Sequence, residues 1–218
     1  MSLPSCTGII LAGGRGRRLS GANKAAIDID GTPILDRIQR VFDTLFGETI
    51  LVTRTPGAFL ESGSMVVTDL FDGRSALTGI HAGLFYARTP YVFIAACDAP
   101  FIRGDLVALL LELITPGIDI VIPETGKGLE PLFAVYSRRC LEPVTRQLER
   151  QRFRVRDFFR KMRVRHVSEK RLRAVDPELV SFYNVNTPQD LAKARQMVNN
   201  QAVPLHPGSP SRSRNHED

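Results

Sequence analysis

Thr7-Gly8-Ile9-Ile10-Leu11-Ala12-Gly13-Gly14-Arg15-Gly16-Arg17-Arg18-Leu19-Ser20-Gly21-Ala22-Asn23-Lys24 begins as an apolar strand. It then runs past Ala12 into four glycines, three arginines and a lysine. Glycine lets the backbone take positive φ and bring its N–H groups against phosphate oxygens, while cationic side chains neutralise charge that those amides do not reach. Such a segment surrounds a polyanion, and a nucleoside triphosphate has the right charge and size. Two common phosphate loops are excluded. Gly16-x-x-x-x-Gly21 is followed by Ala22-Asn23 rather than Lys and Ser/Thr, and Leu19 stands where a dinucleotide fingerprint needs its third Gly. The loop follows the first buried strand of an α/β pattern, where open sheets bind their ligands, which favours a phosphate site over a solvated turn.

Working outward, short apolar runs alternate with helical periodicity. Strands are expected at residues 7–11, 50–52, 65–67, 91–96, 119–122, 132–136 and 164–167. Helices are expected from Thr32-Pro33 through Leu45, then over 77–87, 104–114, 141–148 and 188–198. This alternation predicts an α/β domain with a mostly parallel central sheet and helices on both faces, a Rossmann-like three-layer arrangement. Ligand-binding groups then sit just beyond the carboxyl ends of the strands: Lys24, Thr53 and Arg54, Asp69, and Asp98.

Asp98 emerges from Tyr91-Val92-Phe93-Ile94-Ala95-Ala96, a run too apolar to leave a carboxylate unpaired. A helix cap is one partner for it; Mg²⁺ is the favoured one, since that ion uses one or two carboxylates and completes its shell with water and phosphate oxygens. Lys24 meets the α- or β-phosphate as a point charge, and Arg17 or Arg18 grips the pyrophosphate, with Arg18 assigned to catalysis alongside Lys24 and Asp98. No Ser/His/Asp or Cys/His constellation accompanies them, consistent with phosphoryl-type transfer that relies on positioning and charge neutralisation. Asn184 and Asn186 alternate about Val185, which puts both amides on one face of an expected strand.

Leu11-Ala12-Gly13-Gly14, Arg17-Arg18, Lys24, Asp69, Cys97-Asp98-Ala99-Pro100, Glu130-Pro131-Leu132-Phe133-Ala134 and Tyr183-Asn184-Val185-Asn186-Thr187-Pro188 together resemble the nucleotidyltransferases, and among them the molybdenum cofactor guanylyltransferases. The resemblance runs from residue 8 to about residue 198. It implies a nucleotidyltransferase fold that couples GMP from Mg·GTP to the terminal phosphate of molybdopterin and releases pyrophosphate. It further implies that Leu11, Ala12, Gly13, Gly14, Lys24, Thr53, Asp69 and Asp98 bind the nucleotide, that Asp98 holds the metal, and that Asn184 and Asn186 bind the acceptor. Molybdoenzymes or cofactor chaperones follow as partners. Thr53-Arg54 occupy a position where the family often has Asn. The Leu-Ala-Gly-Gly spelling tilts toward guanine, since cytidine relatives resemble Leu-Ala-Ala-Gly.

A chain of 218 residues with 43% hydrophobic content supports one core, expected over residues 1–199. The tail 200–218, rich in Pro, Ser and Arg, is expected to be disordered. Three cysteines without paired spacing exclude a disulfide framework, and no apolar run reaches the ~20 residues that cross a bilayer, so a cytoplasmic protein without a membrane partner is expected. The net charge is +6, and residues 150–173 hold eleven Lys or Arg against two acids, leaving the remainder at minus three. That stretch is expected to be a helix with a solvated basic face, its phenylalanines packed inward, with nucleic acid the least favoured partner. Two alternatives stay open: a cytidylyltransferase or sugar-phosphate nucleotidyltransferase, and a non-catalytic nucleotide- or RNA-binding protein.

Overall fold

Each expected apolar run forms a strand, and the helical periods form helices between them. A computed structural model describes residues 5–13, 24–60 and 62–201. In chain order the elements are β1 (Cys6–Leu11), a hairpin of β2 (Asp28–Ile29) and β3 (Thr32–Pro33), α1 (Ile34–Leu45), β4 (Thr49–Val52), β5 (Met65–Val67), α2 (Ala76–Tyr86), β6 (Tyr91–Ala96) and α3 (Gly104–Glu112). Then follow β7 (Ile120–Thr125), β8 (Gly128–Leu129), β9 (Phe133–Ser137), α4 (Leu141–Glu149), β10 (Val164–Ser168), α5 (Glu169–Arg173) and α6 (Pro188–Gln201). The main sheet has the order β10-β7-β9-β6-β1-β4-β5, with β8 paired to β7. β1 pairs in parallel with β4 and β6, β4 with β5, and β7 with β10.

Within this sheet, among the described residues, only β9 and the short β8 run against this direction. The reversal follows from a tight connection: Gly128 takes φ 105° three residues after Thr125, whose hydroxyl accepts from Lys127 N–H at 3.2 Å and donates to Glu130 Oε1 at 2.9 Å, and so folds the chain back beside β7. The returning strand slots between β6 and β7, leaving a mostly parallel sheet.

Helices cover both faces. On one, α1, α3, α5 and α6 bury a core centred on Phe42, Phe46, Phe93 and Phe133. On the other, α2, α4 and a 3-10 segment Val155–Lys161 bury Leu77, Ile80, Val144, Tyr136 and Phe158. Glycine sets how closely the layers approach. A Cβ on Gly8 of β1 would stand 2.5 Å from the Phe42 ring, and one on Gly83 of α2 would stand 2.8 Å from Ile9 Cγ2, so α1 and α2 press on β1 from opposite faces.

The basic stretch departs from expectation. Residues 150–173 form a loop, the 3-10 segment, β10 and α5 rather than one helix. The sheet edge explains this: β10 adds in parallel beside β7, which takes the chain away from helical geometry, while the Gln147 amide donates to the Arg152 and Arg154 carbonyls and orders the loop before it. Phe158 packs inward against Tyr136, but Phe153 stays 39% exposed. The hairpin at 28–33 carries a sequence signal, Asp30-Gly31 with φ 54° and 75°, the primed-turn dipeptide. α6 extends to Gln201, past the expected start of the tail, whose residues 202–218 lie outside the described set. No helix among the described residues is long and apolar enough to cross a membrane.

Under α2, His81 is 4% exposed, shares a 3.0 Å hydrogen bond with Thr145 Oγ1 and lies edge-on against Phe71. Burial lowers its pKa below the usual 6.5, so the folded chain favours the neutral ring. Its contribution to stability is complete above the unfolded value and is lost as pH falls below it. His81→Gln keeps a hydrogen-bonding group without the titration. Thermal unfolding between pH 7 and 5 should therefore fall more steeply for the wild type than for this variant; parallel curves would remove His81 as the cause.

Candidate nucleotide site

Backbone hydrogen bonds stitch four strand ends into one ledge. Ala12 N–H donates to the Val52 carbonyl at 2.8 Å, Cys97 N–H to that of Leu11 at 3.1 Å, and Thr53 N–H to that of Val67 at 2.9 Å. The carboxyl ends of β1, β4, β5 and β6 thus lie side by side, and the glycine-rich loop leaves from the middle of them. Leu11, Ala12 and Gly13 form its first, described part; a Cβ on Gly13 would meet nothing within 4 Å among the described residues. Gly14, Arg17 and Arg18 lie outside the described residues. The backbone re-enters at Lys24, the first residue of a 3-10 turn, Lys24–Ala26, that leads into the β2–β3 hairpin.

Thr53 is buried, its hydroxyl 3.4 Å from the Ala12 carbonyl and accepting from Thr55 N–H at 3.2 Å. It braces the root of the glycine loop. Arg54, next along, turns outward. Its Nη1 lies 3.4 Å from Asp69 Oδ2 and also donates to the Gly73 carbonyl. Thr78, the third residue of α2, donates to the same Asp69 oxygen at 3.1 Å. Burial pushes the Asp69 carboxyl above its ordinary pKa, while the Thr78 hydroxyl and the Arg54 charge pull it back toward the ionised form. Beside these groups opens a cavity of about 240 Å³ lined by Arg54, Thr68, Asp69, Leu70, Phe71 and Asp72.

Asp98 sits in the turn that ends β6, half-buried. Its carbonyl accepts from Val185 N–H at 2.8 Å. Through that bond a segment 87 positions away in the chain is held against the strand end. Val185 is fully buried, and Asn184 and Asn186 on either side are exposed, as the alternation predicts. The expected strand there is absent: residues 183–186 are extended but unpaired with the sheet, because Val185 bonds to a turn instead of a ladder. Asn186 is fixed by its neighbour, since Asp190 Oδ2 accepts from the N–H groups of Asn186 at 3.0 Å and Thr187 at 2.8 Å, and Thr187 Oγ1 accepts from Asp190 N–H at 3.1 Å. Thr187-Pro188-x-Asp190 is a capping arrangement with Pro at the first helical position, legible in the sequence.

No group of three or more His, Cys, Asp or Glu among the described residues could hold a metal by itself. A half-buried carboxylate at a strand end, such as Asp98, suits a hard cation that takes most of its ligands from water and phosphate. Glu130, within the quoted motif, accepts from Thr125 Oγ1 at 2.9 Å and secures the β7–β9 connection. Arg54 was legible as a group beyond the end of β4, but its pairing with Asp69 was not, and Thr78 and Asp190 were not singled out by sequence reasoning. Of these two only Asp190 carried a signal, because Thr78 meets its partner through the fold.

The solved structure of molybdopterin-guanine dinucleotide biosynthesis protein A from Archaeoglobus fulgidus superposes with a TM-score of 0.79 at 27% identity, covering 89% of this chain and 99% of that one. A CMP:2-keto-3-deoxy-manno-octonic acid synthetase solved with CTP shares the fold at 15% identity, with a TM-score of 0.68 over 90% of this chain and 99% of its own. The class is therefore that of the nucleotidyltransferases. Residues 8–168 match the MobA-like NTP transferase domain, and the chain belongs to that family. The molybdenum cofactor guanylyltransferase of Desulfosudis oleivorans is 46% identical over 196 residues, 90% of this chain and 97% of that protein. A probable molybdenum cofactor guanylyltransferase of Pelotomaculum thermopropionicum is 41% identical over 194 residues, 89% and 94% of the two chains.

The capping arrangement yields a direct expectation. Asp190→Ala removes the acceptor for two N–H groups and should lower stability by about 0.5–2 kcal/mol, the usual cost of a lost cap, as read from urea unfolding. An unchanged midpoint would mean that water replaces the carboxylate without loss.

Proposed function

We propose that this nucleotidyltransferase transfers GMP from GTP to the terminal phosphate of molybdopterin, in the molybdenum cofactor, and releases pyrophosphate. The observation that supports the reading is the hydrogen bond from Val185 N–H to the Asp98 carbonyl, which brings the segment carrying Asn184 and Asn186 to the turn that ends β6. One site then has a nucleotide half, from Leu11 to Gly14 with Lys24, Thr53 and Asp69, and an acceptor half, at Asn184 and Asn186. Relatives that cover nearly the whole chain and carry this activity in their names support the same substrates.

In the reaction an oxygen of the acceptor phosphate attacks the α-phosphorus in line. The new P–O bond forms as the bond to the β-phosphate oxygen breaks, and pyrophosphate leaves with that electron pair. Glycine-loop amides and Lys24 receive the charge that develops on the triphosphate, and Arg18 holds the departing pyrophosphate. Asp98 would hold Mg²⁺, which when bound supplies further charge neutralisation at the phosphates. Asn184 and Asn186 orient the acceptor by hydrogen bonds from a segment that Val185 and Asp190 keep in place. Because positioning and electrostatics do the chemistry, no covalent nucleophile is required.

Three buried cysteines, none in a disulfide, suit a reducing compartment, and the cytoplasm is the proposed location. Molybdoenzymes or cofactor chaperones would take up the product.

Incubation with Mg²⁺, molybdenum cofactor and each of the four NTPs tests the reading, with pyrophosphate as the readout. Release is expected with GTP and acceptor together. Release with CTP instead would mark a cytidylyltransferase, and salt-sensitive nucleic-acid binding without release would favour the non-catalytic alternative.

Two substitutions divide the site. Asp98→Asn should reduce kcat by about 10²–10³-fold, as for removal of a transition-state charge stabiliser, with thermal unfolding near that of the wild type. Loss of folding instead would make the carboxylate structural. Asn186→Ala should impair transfer while changing GTP affinity, titrated calorimetrically without acceptor, by less than ~1 kcal/mol. Equal losses in both measurements would move Asn186 into the nucleotide half.

A further inference from the structure

Asp69 uses its two carboxylate oxygens differently. Oδ2 takes the Thr78 hydroxyl at 3.1 Å and lies 3.4 Å from Arg54 Nη1, whereas Oδ1 has no hydrogen-bond partner among the described residues. The side chain is 11% exposed, so the oxygen left over faces a restricted space, and Asp69 lines the cavity of about 240 Å³ beside it. A carboxylate anchored by one oxygen offers the other as an acceptor in a fixed direction, suited to a nucleoside edge that presents N–H donors.

Arg54 does more than pair with this group. The same Nη1 reaches the Gly73 carbonyl, so one guanidinium nitrogen ties the carboxylate to the turn that leads into α2. Gly73 has φ 135°, a region that side chains avoid, and a Cβ there would stand 2.7 Å from Phe153 Cε1. The turn is thus held between Arg54, which follows β4, and the Phe153 ring, which arrives on the loop after α4. At the far end, Ser75 caps α2 by accepting from Thr78 N–H at 3.2 Å, and the Thr78 hydroxyl lies between the Ser75 carbonyl at 2.8 Å and Asp69 Oδ2 at 3.1 Å, sharing its proton between them. Arg54 is 38% exposed and contacts solvent as well, so a purely structural ion pair there would contribute little to stability. Its placement matters instead for what it orients.

We propose that Arg54 is a positioning residue for nucleotide recognition, holding Asp69 and the turn at Gly73 so that the second Asp69 oxygen accepts from the N–H edge of the incoming base. This rests on the nucleotide half of the site proposed above. Arg54 acts through Asp69 and the Gly73 carbonyl, so its effect belongs in binding of the nucleotide and not in the chemical step.

The experiment compares Arg54→Ala, Arg54→Lys and Asp69→Asn, singly and with Arg54→Ala and Asp69→Asn combined. Steady-state transfer gives kcat and KM for GTP, and calorimetric titration gives GTP affinity without acceptor. Arg54→Ala should raise KM and Kd for GTP about tenfold, the scale of one charge-assisted hydrogen bond, with kcat within about twofold and an unaltered Tm. Arg54→Lys should recover part of the loss, because an ammonium keeps the charge beside Asp69 but does not reproduce the placement from which Nη1 reaches both Asp69 and the Gly73 carbonyl. In the Asp69→Asn background the alanine substitution should add little. An unchanged KM, a fall in kcat alone, or additive losses in the double variant would each overturn the proposal. Should Arg54→Ala fail to fold, the kinetic comparison passes to Arg54→Lys, where a wild-type KM would overturn it. The function reading is judged separately, on the wild type: if CTP proves to be the substrate, the same ratios are measured with CTP, and a wild type that binds no nucleotide overturns both.

Discussion

The hydrogen bonds at the carboxyl end of β1 are the constraint on which the rest depends. Leu11 and Ala12 each exchange a backbone bond with a different neighbour, Ala12 with Val52 and Leu11 with Cys97. A strand buried on both faces has no water to satisfy its last amides and carbonyls, so its end is fixed by the strands beside it. The glycine-rich loop therefore starts from a rigid point with Thr53 beneath it, and the residues ending β4, β5 and β6 reach the same space. Gly8 and Gly83 make this possible at a distance from the site, because they let α1 and α2 lie against β1 without a Cβ between them.

A second constraint ties the carboxyl-terminal third of the chain to this ledge. Val185 is buried and gives its N–H to the Asp98 carbonyl, so the segment cannot move without exposing an apolar side chain and breaking a bond at the β6 turn. The two asparagines beside it are thereby kept at the surface next to Asp98. Asp190 closes the arrangement by satisfying the amides at the start of α6. Stability and site geometry share these contacts.

The β7–β9 reversal and the arginine-rich stretch serve the opposite flank. β9 inserts antiparallel between β6 and β7, and Glu130 holds its entry through Thr125. Beyond α4, the loop carrying Phe153 crosses to Gly73, while Arg156 donates to the Leu129 carbonyl at 2.9 Å. One short arm thus touches the turn beside Asp69 at one end and the β7–β9 connection at the other. The positive charge of the chain is concentrated at a part of the fold that spans the rim of the sheet.

The sequence by itself determined the layers and the location of the site. Continuous apolar runs such as Tyr91 to Ala96 are strands because nothing else buries them on both faces, and the helical period of Ile34, Ile38 and Phe42 leaves one face for the core. Gly13, Arg54, Asp69 and Asp98 follow strand ends at the carboxyl edge, where an α/β sheet binds ligands, so the candidate site was legible from local pattern. The direction of β9, the breakup of residues 150–173 and the unpaired extended segment at Asn184 were not. Each depends on which strand or turn the chain meets after a reversal, and single-chain periodicity is silent on pairing partners. The same holds for the link from Arg54 to Asp69 and Gly73, and for Phe153 against that glycine. Contacts between residues 15 to 80 positions apart exist only once β4, β5 and the loop after α4 are brought side by side, so tertiary structure alone decided them.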